Sequence, residues 1–210
     1  MGVRVAERLV ATPAGDARLV VSAAAEPRAT LALGHGASGG IDARDLRALA
    51  DGLPATGISV VRVEQPWRVA GRRVAPRPPM LDAGWLAALD AVRGDLALVV
   101  GGRSAGARVA CRTAAQSGAV AVVALAFPLH PPGRPERSRL AELTGAGVPT
   151  LVVQGGRDPF GRPEEFPAGP FDLVPVPQAD HGLATPMAVF DGIVAAVRDW
   201  LGNVLQRASR

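Results

Sequence analysis

The 210-residue sequence contains no lysine, no tyrosine and a single cysteine, Cys111. One cysteine excludes an internal disulfide and agrees with a reducing compartment. The absence of any run of 18 or more apolar residues argues against a transmembrane helix. Residues 1–8 also lack the long apolar segment of a signal peptide. From these absences we expect a cytoplasmic protein without a membrane segment.

The net charge is also small. All 23 basic residues are arginine, and 19 acidic residues nearly balance them, which leaves a net charge of +4. Nucleic-acid binders usually concentrate basic residues on one face or in one run. Here arginines cluster only at 68–77, where proline and valine interrupt them. The composition therefore predicts no nucleic-acid partner. No spacing of His, Cys or Asp side chains predicts a metal, and we expect no cofactor.

Short apolar runs alternate with helical patterns along the whole chain. The strands are predicted at 3–10, 17–23, 30–33, 58–63, 96–100, 120–126, 150–154 and 171–176. The helices are predicted at 41–53 (with Asp42 as N-cap), 80–92, 104–116, 137–143 and 186–205, with an irregular excursion at 65–79. Continuous apolar strands bounded by helices imply a mostly parallel sheet covered on both faces. We predict one doubly wound α/β domain over residues 1–210, with an N-terminal β-hairpin and no separate cap domain.

The segment Gly102-Arg103-Ser104-Ala105-Gly106 lies between a predicted strand and a predicted helix. In doubly wound sheets, reactive groups collect at the carboxyl ends of strands. The G-x-S-x-G spacing holds a serine on a sharp turn, and its glycines allow neighbouring backbone to approach closely. The N–H of Ala105 can then point at a developing oxyanion. A glycine-rich turn with Ser104 as an ordinary helix cap gives the same pattern, so the interpretation depends on its partners.

A serine nucleophile needs a base, and the base must be oriented by a carboxylate. Of the three histidines, His181 follows the last predicted strand. Asp158 follows the strand at 150–154, although an Asp-Pro pair also forms turns. Asp180 is a second candidate acid, but its adjacency to His181 makes a hydrogen bond to that ring awkward. We therefore predict Ser104, Asp158 and His181 as nucleophile, acid and base.

The glycine-rich loop at 34–40 is the predicted source of the second oxyanion donor. We assign that donor to the backbone N–H of Ala37, with Ser38 second, and expect His35 to hold the loop by hydrogen bonds. The same glycines satisfy G-x-G-x-x-G, and Glu64 ends the next strand, which together outline a dinucleotide site. That interpretation is disfavoured because a hairpin precedes the motif and because it leaves the serine, aspartate and histidine unexplained.

Five segments together resemble the α/β-hydrolase superfamily near its dienelactone-hydrolase-like members. More narrowly, they are similar to a group around the testis-expressed hydrolase-like proteins and the KANSL-type chromatin subunits. The segments are Leu33–Gly39, Gly102–Gly106, Phe127–Gly133, Gln154–Gly161 and Asp180–His181, of which Phe127–Gly133 is the most specific. The resemblance implies the α/β-hydrolase fold and the Ser-Asp-His roles given above, but it implies no particular substrate.

Further residues near the predicted strand ends are candidates for substrate contacts. They are His35, Ser38, Arg103, Leu129, His130 and Phe160. Arg103 carries a charge beside the nucleophile, where it can attract an anionic substrate or pair with an acidic neighbour such as Glu64. We predict a serine hydrolase, monomeric or homodimeric, that acts on a small ester or thioester. The alternative is a binding module that keeps the fold with a slow or unused triad.

Overall fold

The computed structural model describes residues 4–183 and 186–208. In that part of the chain, eight strands form one sheet of order β1-β2-β4-β3-β5-β6-β7-β8. The strands are β1 (Arg4–Thr12), β2 (Gly15–Ala23), β3 (Ala29–Gly34), β4 (Ile58–Glu64), β5 (Ala97–Arg103), β6 (Ala121–Leu125), β7 (Thr150–Gly155) and β8 (Asp172–Val176). The helices are α1 (Arg44–Gly52), α2 (Pro66–Val69), α3 (Pro78–Asp90), α4 (Ala105–Ser117), α5 (Leu140–Thr144) and α6 (Met187–Ala208).

Strands β3 to β8 run parallel, as their continuous apolar sequences predict. The β1–β2 hairpin is antiparallel and joins the sheet through an antiparallel pairing of β2 with β4. The predicted doubly wound fold with an N-terminal hairpin is therefore confirmed. Within residues 4–183 and 186–208, loops and short helices cover the carboxyl ends of the parallel strands, and no cap domain lies over them.

Two hydrophobic clusters pack on opposite faces of the sheet. Helices α1 and α6 cover one face, and α3, α4 and α5 cover the other. On α6, Phe190, Ile193, Val197 and Leu201 follow helical spacing and are all buried. Each such side chain contributes about 1.5–3 kcal/mol when it leaves water. In the described part of the chain, none of the helices has the length and hydrophobicity that crossing a membrane requires.

Two local predictions were wrong. Helix α1 begins at Arg44, and its N-cap position is Ala43 rather than Asp42. The Asp42 carboxylate instead lies 2.9 Å from the guanidinium of Arg62, because β4 carries that charge beside the start of α1. The excursion after β4 contains the short helix α2, which begins at Pro66, a residue whose fixed φ suits the first helical position.

Candidate active site

Ser104 occupies a strained turn between β5 and α4. Its backbone angles are φ 53° and ψ −111°, a region that costs a non-glycine residue on the order of 1–3 kcal/mol. Its N–H donates to the carbonyl of Leu125 at 2.9 Å, which ties the turn to the end of β6. A Cβ at Gly102 or Gly106 would lie 2.5 or 2.4 Å from the carbonyl oxygen of Gly34. Glycine is therefore required on both sides of the serine.

The structure brings together the three residues predicted as nucleophile, base and acid. His181 Nε2 lies 2.9 Å from Ser104 Oγ, and His181 Nδ1 lies 2.8 Å from Asp158 Oδ2. In a neutral ring with the proton on Nδ1, the Nδ1–H donates to Asp158 and Nε2 accepts the serine O–H. The alternative acid, Asp180, accepts from the N–H of Gly182 at 2.8 Å and thereby closes the turn around His181.

The Asp158 carboxylate is fixed by two donors besides the histidine. It is 1% exposed, so each oxygen needs a partner. Oδ2 accepts from Gln154 Nε2 at 2.9 Å, and Oδ1 accepts from the N–H of Phe160 at 2.8 Å. Gln154 also donates to the carbonyl of Gly161 at 2.7 Å. Sequence reasoning assigned Gln154 no role, although an amide near the end of the strand that precedes the acid was a usable signal.

Phe160, predicted to contact substrate, packs against the imidazole of His181. The two ring centroids are 4.1 Å apart and the planes are tilted by 31°. The His181 side chain is 21% exposed. Phe160 therefore shields one face of the ring, while the edge that carries Nε2 faces the serine.

Arg103 forms a nearly buried ion pair beside the nucleophile. Its Nε lies 3.0 Å from Asp45 Oδ2, and the two side chains are 12% and 1% exposed. A second nitrogen, Nη2, donates to the main-chain carbonyl of His181 at 2.8 Å. Burial raises the pKa of Asp45, and the charge of Arg103 opposes that rise. The pair links the first turn of α1 to the loop that holds the histidine.

Arg103 pairs with an acidic neighbour, which is one of the two roles expected for it, but that neighbour is Asp45 rather than Glu64. Glu64 accepts from Arg18 at 2.8 Å instead, because Arg18 is its direct cross-strand partner in the β2–β4 register. Asp45, the actual partner, was not among the predicted residues.

The loop after β3 lies directly beside the nucleophile. A Cβ at Gly36 would lie 3.5 Å from Ser104 Cβ. His35, 3% exposed, donates from Nδ1 to the carbonyl of Gly36 at 2.8 Å and accepts at Nε2 from the N–H of Gln65 at 3.1 Å. Burial lowers the pKa of His35, so this ring is neutral and holds the loop in place.

The two predicted oxyanion donors lie on elements next to Ser104. Ala37 and Ser38 follow His35 on the exposed part of the loop. Ala105 is the first residue of α4, where main-chain N–H groups have no acceptor within the helix. Ala37 and Ala105 line one small cavity, and their role as oxyanion donors stays a prediction.

Leu129 and His130 lie on the side of the site that carries Asp158. Leu129 is 5% exposed and packs against Gly161. A Cβ built at Gly161 would lie 2.7 Å from the Cβ of Leu129. The His130 ring nitrogens lie 2.9 Å from the carbonyl of Pro131 and 2.9 Å from Glu165 Oε2. Since both partners are acceptors, the doubly protonated ring satisfies both, and the pKa of His130 is raised. His130 and Asp158 line a cavity of about 520 Å³.

The geometry does not favour a dinucleotide at the glycine-rich loop. Glu64, the residue expected to bind ribose, is paired with Arg18. The first turn of α1 carries the Asp45 carboxylate, whereas a helix N-terminus that binds pyrophosphate needs positive potential. Across residues 4–183 and 186–208, no group of three or more His, Cys, Asp or Glu side chains is placed to hold a metal ion.

Comparison with models of protein families assigns the chain to one family. A family model described as an alpha/beta hydrolase domain matches residues 27–189, which include all three residues of the Ser-His-Asp arrangement. The chain belongs to the α/β-hydrolase family. This hydrolase has no match among curated proteins, and its place in the narrower group named above stays a prediction.

Solved structures of other proteins share the fold at low sequence identity. A lidless serine hydrolase from Xanthomonas campestris is 21% identical, with 99% of this chain and 96% of that chain covered and a TM-score of 0.72. Dienelactone hydrolase from Anabaena variabilis is 19% identical, with 97% and 99% covered and a TM-score of 0.76. Est1E from Butyrivibrio proteoclasticus is 15% identical, with 95% and 99% covered and a TM-score of 0.73.

Proposed function

We propose that this hydrolase cleaves small esters or thioesters, with Ser104 as nucleophile, His181 as general base and Asp158 as the orienting acid. The observation that carries the proposal is the hydrogen-bonded chain from Ser104 Oγ through the imidazole to the buried Asp158 carboxylate, with distances of 2.9 and 2.8 Å. These distances lie within the range in which a base can take a proton from a nucleophile.

In the acylation step, Ser104 Oγ attacks the carbonyl carbon while its proton passes to His181 Nε2. The carbonyl oxygen becomes an oxyanion that accepts hydrogen bonds from the N–H groups of Ala105 and Ala37. The imidazolium then gives its proton to the departing alkoxide or thiolate, which leaves an acyl-serine. In the second step, His181 takes a proton from water and the hydroxide attacks the acyl carbon. The bond between that carbon and Ser104 Oγ then breaks, His181 returns the proton to Oγ, and the carboxylic acid leaves.

The surroundings of the imidazole support this cycle. The Asp158 carboxylate holds the Nδ1–H and stabilises the imidazolium that forms in each step. Gln154 and the N–H of Phe160 keep that carboxylate in one orientation. The strained backbone of Ser104 and the closely packed glycines fix the nucleophile before substrate arrives, so little reorganisation is needed.

The proposal is tested by steady-state hydrolysis of p-nitrophenyl acetate. We expect Ser104→Ala and His181→Ala to lower kcat/KM by at least about 10³-fold, with a smaller loss for Asp158→Asn. Asp180→Asn is the matched control, because its side chain can still accept the hydrogen bond from Gly182 and it should keep wild-type activity. Folded wild-type protein that is no faster than buffer would overturn the proposal and favour the binding-module alternative. So would a Ser104→Ala variant with full activity.

A further inference from the structure

The guanidinium of Arg103 lies next to three separate segments of the chain behind the serine turn. Its Nε lies 3.0 Å from Asp45 Oδ2 on α1, and its Nη2 donates to the main-chain carbonyl of His181 at 2.8 Å. The remaining nitrogen, Nη1, lies close to the loop after β3, since a Cβ built at Gly36 or Gly39 would be 3.7 or 3.9 Å from it. One side chain therefore lies between a core helix, the loop of the proposed base and the loop of a predicted oxyanion donor.

Asp45 is the fixed end of this arrangement. Its carboxylate is on the first turn of α1 and is 1% exposed, and its Oδ1 accepts from the main-chain N–H of Leu46 at 2.9 Å. Leu46 and Leu49 are fully buried and pack α1 against the sheet. Because a guanidinium is planar and rigid, a carboxylate that fixes one of its nitrogens also limits where the other two can lie.

Stability by itself gives no reason for a charge at this position. Replacement of a buried ion pair by apolar side chains of similar volume is often neutral or stabilising, because both charges must otherwise leave water. The Arg103 and Asp45 side chains are 12% and 1% exposed. What a guanidinium provides, and an apolar side chain does not, is a set of donors that point in several directions from one plane. The loops around Ser104 are the part of the molecule that uses this geometry.

The carboxylate also compensates for the charge that Arg103 brings close to the base. In the proposed reaction His181 becomes an imidazolium in each step, and an unpaired cation nearby would disfavour that charged state. Since Asp45 balances the charge of Arg103, the guanidinium can hold the carbonyl of His181 with little opposition to protonation of its ring.

We propose that Arg103 is a positioning residue for hydrolysis, which holds the His181 loop and the loop after β3 in place around Ser104 and does not bind substrate. This inference rests on the proposed function. Arg103 acts through His181 and through the main-chain N–H of Ala37, and each of these groups must lie within hydrogen-bond reach of the reacting atoms. A displacement of about 1 Å in such a group can slow a reaction by about 10²-fold. Loss of Arg103 should therefore lower kcat and leave KM nearly unchanged.

The test separates activity from stability with two variants. The double variant Arg103→Met with Asp45→Asn leaves no unpaired buried charge, so it should be more stable than Arg103→Met alone, but it has no donor for the His181 carbonyl. Arg103→Lys keeps a cation that can pair with Asp45 and replaces the planar fork with a single nitrogen, and it provides the second variant if the first does not fold. Rates are expressed per mole of folded protein, taken from urea unfolding.

For both variants we expect kcat for p-nitrophenyl acetate to fall by at least about tenfold, with KM within about threefold of wild type. The rate constant for reaction with a fluorophosphonate should fall in parallel, because that reaction needs the same base and the same oxyanion donors. Arg108→Met is the matched control. Arg108 also forms a partly buried ion pair, but its partner is Glu142 on α5, so this variant should keep the wild-type kcat.

A kcat within about twofold of wild type in either folded variant would show that the ion pair is only structural, and it overturns the inference alone. A loss that appears in KM and only with an anionic ester, such as 4-carboxyphenyl acetate, would show that Arg103 binds substrate, which also overturns the inference. No hydrolysis by folded wild-type protein and no reaction of Ser104 with a fluorophosphonate would instead overturn the proposed function.

Discussion

Replacement of Arg103 by methionine tests the buried ion pair behind the nucleophile. The change removes the cation that lies 3.0 Å from Asp45 and leaves a carboxylate that is 1% exposed. Removal of one partner from a buried pair costs about 3–5 kcal/mol, a large part of a total free energy of unfolding of about 5–15 kcal/mol. The variant also loses the hydrogen bond to the carbonyl of His181. We therefore expect Arg103→Met to fold but to be strongly destabilised.

The assay is urea unfolding followed by tryptophan fluorescence for wild type, Arg103→Met, Asp45→Asn and the double variant. The double variant should lose less than the sum of the two single losses, because it leaves no unpaired charge. Burial raises the pKa of Asp45, and loss of Arg103 should raise it further. A carboxyl with a folded pKa above its unfolded pKa favours the fold at low pH, so the stability of Arg103→Met should fall more steeply with rising pH than that of wild type.

A matched control is Arg198→Met, which breaks the pair with Asp199 on the surface, where the side chains are 45% and 66% exposed. Exposed pairs contribute about 0–1 kcal/mol, so this variant should unfold close to wild type. A loss below about 1 kcal/mol for Arg103→Met at neutral pH would refute the reasoning, as would additive losses in the double variant.

Three further substitutions test other parts of the account. Hydrogen bonds to the carbonyl of Pro131 and to Glu165 raise the pKa of His130, so this contact stabilises the fold fully below the ordinary histidine pKa of about 6.5 and is lost as the pH rises through the raised value. Thermal melts should show that wild type loses stability relative to His130→Gln as the pH rises above about 6.5, and parallel curves would contradict this. Gly106→Ala places a Cβ 2.4 Å from a main-chain oxygen and should cost at least about 1–3 kcal/mol in urea unfolding. Gly192→Ala, on α6 with open space around it, should instead stabilise by about 0.5–1 kcal/mol; equal effects at the two glycines would contradict the close packing of the serine turn.

Local patterns in the sequence were sufficient to predict the strands, all the helices described above except α2, and the place of the serine turn. The apolar runs that became β5, β6 and β7 are nearly continuous because both faces of a parallel sheet are buried. The residues that follow such strands meet at one edge of the sheet. Ser104, Asp158 and His181 could therefore be predicted as neighbours without knowledge of the strand order.

Contacts that depend on strand order could not be predicted in the same way. Glu64 and Arg103 end β4 and β5, and both strand ends carry a charge. However, β3 lies between these strands, which separates their ends by roughly 10 Å, two strand spacings. The partner of Arg103 therefore comes from the first turn of α1, and Asp45 gives no signal in the sequence that separates it from other acidic residues.

The short helix after β4 was also beyond sequence reasoning. Residues 65–79 are rich in proline and arginine, which predicts an irregular loop and hides the single turn of α2. The structure forms α2 there, and Gln65, which precedes it, donates from Nε2 to the carbonyl of Leu81 on α3 at 3.2 Å.

The central claim, that Ser104 is the nucleophile, is tested most directly by its reaction with a fluorophosphonate, read by intact mass and by peptide mapping. The account predicts that folded wild-type protein gains one phosphonyl group on Ser104. It also predicts that Ser104→Ala gains none and that His181→Ala reacts much more slowly, because the base that activates the serine is absent. Folded wild-type protein that remains unlabelled, or a label that persists in Ser104→Ala, would contradict it.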